Sequence, residues 1–370
     1  MEILWISGRK IGFDLADTTE TGLIDSINNT GNNVFLISPG RKDDLGNNHL
    51  SVKTIELPGL ITISGSIDIK RKIKKVIKNR KFDIIIIDWR YVSLLRKTLK
   101  STMIPWLMID RGPPAKQNWK LRFQKIMWNK AWQITQKNAI NGIVVSDMHN
   151  DFIKRYANVN MDNIIVNSGS SQSKGKIKKI DENTILEVVY VGQIDKRRDI
   201  ISILKFKSEL DRNHIKNNIR IVGEGDYCNA LKKEIRSMDK IKLIGKKNKK
   251  EIREILDSSH VGVLPMPKTP IWEIASPIKL VEYARFGLIT VGPKHSGNKW
   301  INYQEDLKCW EFLSDSESWW IEAAEKIKET ITKNKWKKYS ESAIVDSEIR
   351  TWDLISQKMI QEIENQINDI

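Results

Sequence analysis

At 370 residues the chain exceeds one typical domain, and its length predicts two. Its 13 Trp and 40% apolar content exclude disorder, no apolar run approaches the ~18 residues of a membrane span, and two cysteines, Cys228 and Cys309, fit a reduced cytosol better than a disulfide framework. The +16 net charge is uneven, with 26 Lys/Arg against 15 Asp/Glu over residues 1–172 and 36 against 31 after them, so the first half expects an anionic partner (nucleic acid, lipid head groups or a phosphorylated substrate), with a Lys-, Ile- and Asn-rich composition that drifts basic as the alternative.

EILWIS reads as a first strand, and MEILWISGRK does not read as a cleavable signal because its charges follow the apolar run. The loop GRKIGFDLADTTETG carries Gly8, Gly12 and Gly22, and such loops face a ligand cleft at the carboxyl edge of a parallel sheet. Its glycines lack the G-x-G-x-x-G spacing, so a dinucleotide fingerprint is not supported. A helix begins at Leu23, Ile24 and Ile27, and NNVFLISPG is a second strand. Residues 70–81, KRKIKKVIKNRK, place eight Lys/Arg in twelve positions, while Ile69, Ile73, Val76 and Ile77 repeat at helical spacing. One face of that helix packs; the other suits an anionic membrane or acceptor phosphate, or is a solvated lysine face.

FDIIIIDW is a fully buried strand, and residues 104–109 form another that ends at Asp110 in MIDRGPP. A carboxylate there sits where α/β enzymes place reactive groups, with a turn-forming Asp as the alternative; Arg111 is beside it. In the helix 119–137, Phe123, Ile126, Met127, Ala131 and Ile134 are expected to face inward. Leu121, Trp128 and Trp132 share a different side flanked by Arg122 and Lys125, which suits a membrane-interface contact or a wide core face. Strand 141–146, helix 147–156 and strand 163–170 complete this half, and SSQSKGKIKK (170–179) reads as the interdomain linker.

A second alternation follows: strand 186–192, helix 199–210, strand 219–225, a helix to Ser237, strand 240–245, helix 249–258 and strand 260–266. Strands separated by helices of this length mean a parallel sheet covered on both faces. In WEIASPIKLVEYARFGLITVG (272–292), Pro277 opens a helix with Ser276 as its N-cap, and Gly287 stops it before a short strand. The free N–H groups around Ile278 suit a phosphate, Lys279 adds a positive charge, and Glu282 fits a ribose diol. Lys196, Arg197 and Arg198 after Gly192 bring three more charges to a strand end, which makes a cradle for a diphosphate leaving group. No Asp-x-Asp, His spacing, P-loop or G-x-S-x-G suggests a metal site or another chemistry.

This pattern resembles the retaining GT-B glycosyltransferases that use nucleotide-sugar donors. YVGQIDKRRD is similar to that family's strand–Gly–Arg–x–Asp–x–(Arg/Lys)–Lys–Gly loop, and IVGEGDYCNAL, with Gly223, to its I-V-G-x-G segment. KIKLIG and EIREILDSSHVGVLPM look like its next strands and helix, and SPIKLVEYARFGLITVG like its signature helix, whose ribose-binding Glu falls on Glu282. The match covers most of 186–300 and is loose over the first half, with VVS at 144–146 and NSGS where the family has Asn-Gly. The family's E-x₇-E pair would put its first Glu at Ile274, with Glu273 one residue away; its first Arg is Gln193, and its Lys-Gly is Arg198-Asp199. Asp110 stands where many members carry a His near the reacting carbon, and the resemblance gives it the acceptor hydroxyl or its proton.

The resemblance implies an α/β, GT-B architecture: two doubly wound Rossmann-like domains facing across a cleft. Residues 1–172 would bind the acceptor, 173–345 the nucleotide sugar, and a helix in 346–370 would cross back to brace the first domain. The implied activity is a retaining, metal-independent and cofactor-free glycosyl transfer to a lipid-linked or glycan acceptor. It would take place in the cytoplasm, peripherally on the inner face of a membrane. Catalysis would rest on Asp110, and donor binding on Gly192, Lys196, Arg197, Arg198, Gly223, Glu273, Ser276, Ile278, Lys279 and Glu282. Gly12, Arg111, Trp128 and Trp132 would face the acceptor or membrane. The rival readings are a basic α/β nucleic-acid-binding protein, which lacks a stacking sheet or a DNA-reading helix pattern, and a non-catalytic two-lobed ligand-binding protein.

Overall fold

A computed structural model describes residues 1–11, 18–40, 43–55, 57, 60–114, 120–299 and 312–368. The chain forms two compact units, residues 1–168 with 352–370, and residues 169–351. The first contains β1 (Glu2–Ile6), α1 (Thr18–Asn29), β2 (Asn33–Ser38), β3 (His49–Ser51), α2 (Leu60–Asn79), β4 (Ile84–Asp88), α3 (Trp89–Thr102), β5 (Trp106–Ile109), α4 (Lys120–Asn138), β6 (Asn141–Val144), α5 (Asp147–Ala157) and β7 (Ile164–Ile165). Every pairing is parallel, in the order β3-β2-β1-β4-β5-β6-β7. β4 is buried at all five positions, as a central parallel strand covered on both faces must be.

Because parallel crossovers are right-handed, the reversal of strand order at β1 puts α1 on one face of this sheet and α2 to α5 on the other. The second face closes over one core, in which Ile69, Leu95, Trp128 and Ile153 from those four helices meet Leu4, Ile85 and Met108 of the strands. On the first face lies the chain's last helix, Trp352–Asn368. Gly22 of α1 leaves room for Trp352: a Cβ there would stand 2.5 Å from the indole. Ser26 adds hydrogen bonds to Asp353 and Ser356.

The second unit contains β8 (Leu186–Val191), α6 (Ile201–Arg212), β9 (Asn217–Val222), α7 (Cys228–Glu234), β10 (Ile241–Gly245), α8 (Lys249–Asp257), β11 (Val261–Val263), α9 (Pro270–Glu273), α10 (Ile278–Arg285), β12 (Ile289–Pro293), α11 (Ser296–Lys299), β13 (Leu313–Ser314), α12 (Trp319–Thr332) and α13 (Trp336–Glu348). α14 (Trp352–Asn368) then returns to the first unit. The second sheet is parallel too, ordered β10-β9-β8-β11-β12-β13. β8 alternates between two cores: Val188 and Tyr190 face Phe206 and Trp319, while Val189 and Val191 share the other core with Leu280, Val281 and Tyr283 of α10.

The segment 170–179 is not a loose tether. Ser170 bridges Thr351, Gly175 lies against Phe286, and the buried Lys178 ammonium reaches the carbonyl and carboxylate of Asp257. The tail expected from 346 is two helices, because α13 ends at Glu348 and Trp352 starts α14 in the other unit. Among the described residues, no helix is long and apolar enough to cross a membrane.

Candidate functional site

The carboxyl edge of the second sheet is built by backbone brought unusually close. Gly192 N–H donates to Val222, Ile194 N–H donates to Glu224, and Gly223 N–H donates to Gly245. A Cβ on Gly223 would lie 1.8 Å from the Gly192 carbonyl, and the Gly223 φ of 144° is one only glycine adopts readily. DKRRD is a single turn rather than an open loop. The buried Asp195 carboxylate caps it by accepting from Arg198 N–H and lies 3.6 and 3.5 Å from the Arg197 and Arg198 guanidiniums. Arg198 stacks over the Trp272 ring at 4.9 Å, and the Trp272 indole N–H donates to the Arg197 carbonyl at 3.3 Å. The turn bearing both arginines is thus fastened to α9, which leads into α10.

α10 starts one residue later than its sequence suggests. Pro277 is the N-cap and its ring makes no cap hydrogen bond, so Ser276 stands outside the helix, one residue before the N-cap. Lys279 and Glu282 are paired with each other on the first turns, both partly exposed. Glu273 ends α9 half-buried, while Ile274, at the position of the resembling family's first Glu, is buried. Lys196 is exposed.

In the first unit Asp110 corrects the sequence reading. Its carboxylate has no exposed surface. Oδ2 accepts from the indoles of Trp128 at 2.6 Å and Trp132 at 3.0 Å, Oδ1 accepts from Gly112 N–H, and His149 Nε2 stands 3.6 Å away. Burial pushes the Asp110 carboxyl up, but His149, the Gly112 N–H and the Trp128 indole outweigh it and hold the carboxyl below its usual range. A carboxylate so enclosed positions the 110–114 loop and does not touch a substrate, so the catalytic role expected for Asp110 is withdrawn. Trp128 and Trp132 are buried for the same reason and do not face a membrane, whereas Phe123 and Ile126, expected inward, are exposed; Ala131 and Ile134 are buried as expected. Gly12 lies outside the described residues.

Residues 172–344 match the model of the family described as "Glycosyl transferases group 1". They are a group 1 glycosyltransferase domain. None of the curated proteins matches the chain by sequence. Among solved structures, sucrose-phosphate synthase from Thermosynechococcus elongatus superposes with a TM-score of 0.78 at 11% identity over 100% of both chains. The Anabaena protein HepE, in complex with UDP and glucose, gives 0.72 at 12% identity over 99% of this chain and 100% of that one. The pneumococcal O-GlcNAc transferase GtfA, in complex with UDP and GlcNAc, gives 0.72 at 11% over 99% of each. At these identities the likeness establishes the GT-B fold.

The glycosyltransferase domain holds two residues that sequence reasoning passed over. The Tyr283 hydroxyl accepts from Val191 N–H at 2.9 Å beneath the strand that carries the Gly192 loop, and Gly262 leaves room for its ring. Burial pushes the Tyr283 phenol far up, so it stays neutral. The other is Tyr190, which donates to the Gln193 carbonyl at 2.7 Å and so fixes the same loop. At the first sheet's carboxyl edge, Asp88 caps α3 and grips Arg90 through both oxygens, while Arg90 reaches the Gly8 carbonyl. Arg9 pairs with buried Glu20 at 3.3 Å, and burial pushes the Glu20 carboxyl up. Arg111 donates to Val166 and Ser168, and burial with the neighbouring Arg9 brings its guanidinium down to about 10. These cations gather where the strand order reverses between β1 and β4, the place at which open parallel sheets receive ligands. Asp88 gave the same signal in the sequence as Asp110, a carboxylate ending an apolar strand.

Proposed function

We propose that the protein moves a sugar from a nucleoside-diphosphate donor to a membrane-associated lipid or glycan acceptor, with retention of anomeric configuration and without a metal or other cofactor. The observation that carries the reading is the Arg198–Trp272 stack, which ties the arginine turn to the segment entering α10 inside a group 1 glycosyltransferase domain. In this reading the diphosphate lies along the first turn of α10, where N–H groups and the helix dipole favour negative charge. Lys279, Arg197 and Arg198 neutralise the charge that builds on the departing nucleoside diphosphate. Glu282 accepts from the ribose diol once Lys279 turns to phosphate. Gly192 and Gly223 let the backbone approach the sugar, and Glu273 takes the place of the missing carboxylate at Ile274.

The first unit then presents the acceptor through Arg9 and Arg111 at the β1–β4 switch point, on the cytoplasmic side of a membrane. Retention fits the family resemblance, in which the leaving diphosphate itself guides the acceptor hydroxyl. UDP is the first probe, because two proteins of this fold are in complex with it. Thermal shift with UDP, GDP and ADP, then with their sugars, is expected to single out one nucleotide. Glu282→Ala and Lys279→Ala are each expected to weaken that nucleotide about tenfold or more. Wild-type binding by both variants would overturn the donor site. Transfer that EDTA abolishes and Mg²⁺ restores would overturn metal independence.

A further inference from the structure

Nearly all of the chain's net charge lies on one face of one unit. α2, α3 and α4 stand side by side over the first sheet and together carry fifteen Lys/Arg and one acidic residue, Asp68, which is occupied by Lys53 N–H and Lys72. α1 and α14, on the opposite face, carry five Asp/Glu and one Lys. The unit is therefore strongly polarised across its sheet, and composition drift alone would have spread the lysines over both faces.

The same three helices expose apolar side chains in a particular order. α2 turns Gly65, Ser66, Ile69, Ile73 and Val76 inward. Its outward face reads Leu60, Ile63, Ile67 and then Arg71, Lys74, Lys78 at helical spacing, all of them exposed. α4 repeats this with Phe123 and Ile126, 65% and 57% exposed, followed by Lys130 and Lys137. A helix facing only water shows polar residues along its whole outer face. Crossover helices of a parallel sheet start at its carboxyl edge, so both apolar ends lie on the side of Asp88 and Asp110.

We propose that the outer face of α2, α3 and α4 docks on an anionic lipid bilayer, the first turns of α2 and α4 entering the acyl boundary and their later turns resting on the head groups. Leu60, Ile63, Ile67 and Ile126 with Phe123, set among lysines, fit acyl chains and anionic head groups; a nucleic-acid surface would set stacking aromatics along the face. The docking itself needs no donor, and it rests on the transferase reading only in making the lipid surface the source of the acceptor.

The test is co-sedimentation of the full chain with phosphatidylcholine vesicles with and without phosphatidylglycerol, at low and high salt. The wild type is expected to pellet only with the anionic vesicles, and less at high salt. Lys74→Gln with Lys78→Gln should lower partitioning by roughly 30-fold, at about tenfold or less per charge. Ile63→Gln with Ile67→Gln should lower it by about tenfold or more while circular dichroism and the nucleotide thermal shift stay unchanged. The proposal is overturned if the wild type stays in the supernatant with both vesicles, or if the isoleucine variant pellets like the wild type. It is also overturned if duplex DNA binds at physiological salt and displaces the vesicles. A chain that pellets but binds no nucleotide keeps this face and loses the donor site; the converse loses only the face.

Discussion

The Asp110 cluster gives the sharpest test of what the structure changes. In Asp110→Ala the indoles of Trp128 and Trp132, 2% and 0% exposed, lose their acceptor and have no water to turn to. Each orphaned buried donor costs about 1–3 kcal/mol, so the pair costs about 4 kcal/mol, and the Gly112 N–H adds little because that residue is partly exposed. For a domain of this size such a loss lowers the melting midpoint by roughly 10 °C. Asp110→Asn keeps an acceptor for the indoles and turns its amide toward the Gly112 N–H, at about 1–2 kcal/mol. Urea unfolding followed by tryptophan emission, with transfer rates measured below each variant's transition, separates the roles. A positioning residue gives the order wild type, Asn, Ala in stability, with Asn active while folded. An Ala variant that melts with the wild type, or an Asn variant that is as stable but inactive, would refute the assignment and return Asp110 to the chemistry.

Gly223→Ala should destabilise the second unit by about 3 kcal/mol or more, since its Cβ would meet the Gly192 carbonyl; a normal urea midpoint would contradict that geometry. Tyr283→Phe leaves the buried Val191 N–H without its acceptor and should cost about 1–3 kcal/mol by urea unfolding, with weakened nucleotide binding as the loop loosens. Arg198→Ala removes both a phosphate partner and the stack on Trp272, so titration calorimetry should show nucleotide affinity falling tenfold or more, and Arg198→Lys should recover little of it. Burial and the nearby Lys268 push the His295 imidazole down to about 4, so between pH 6.5 and about 4 the unfolded chain binds the extra proton. The stability that His295 contributes is whole above pH 6.5 and is lost as pH falls toward 4, by about 3 kcal/mol at most; His295→Gln should flatten that slope in urea titrations at stepped pH.

Strands and sheet direction were legible because a parallel sheet covered on both faces demands long apolar runs, as in Ile84–Ile87 of β4 and Val188–Val191 of β8. The Gly192 and Gly223 loops and the start of α10 were legible for a related reason: glycines and a proline at strand and helix ends restrict backbone shape, which is written locally. α4 was read only in part, with Ala131 and Ile134 inward as expected but Phe123 and Ile126 outward, because it carries apolar residues on more than one side and its period alone does not say which side the sheet will cover. The deciding fact is a hydrogen bond across 18 residues from Trp128 to Asp110, reinforced from Trp132 one turn on. The i, i+4 tryptophan pair was the visible signal, and weighing indole N–H groups as donors in search of a buried acceptor would have turned that face inward. Arg9, Glu20 and Arg90 were invisible for a harsher reason, because their meeting depends on the order of β1 and β4 in the sheet.

The two sheet edges are therefore made in different ways, and the difference bears on what each can recognise. In the glycosyltransferase domain, Gly223, Gly225 and Gly292 bring main chain within reach of main chain, and the Tyr190 and Tyr283 hydroxyls hold the Gly192 loop from beneath, so the edge is fixed by backbone contacts and buried phenols. A diphosphate, the same in every nucleotide sugar, suits an edge of that kind. In the other unit the edge is a lattice of charged side chains, Arg9 to Glu20 and Arg90 to Asp88, with Arg111 anchored to Val166 and Ser168. Exchanging one of them alters charge and hydrogen bonding without moving the sheet. Recognition built that way can be retuned one residue at a time, which would suit the acceptor of the proposed reaction, whereas the glycine-built edge tolerates no side chain at the glycines that form it.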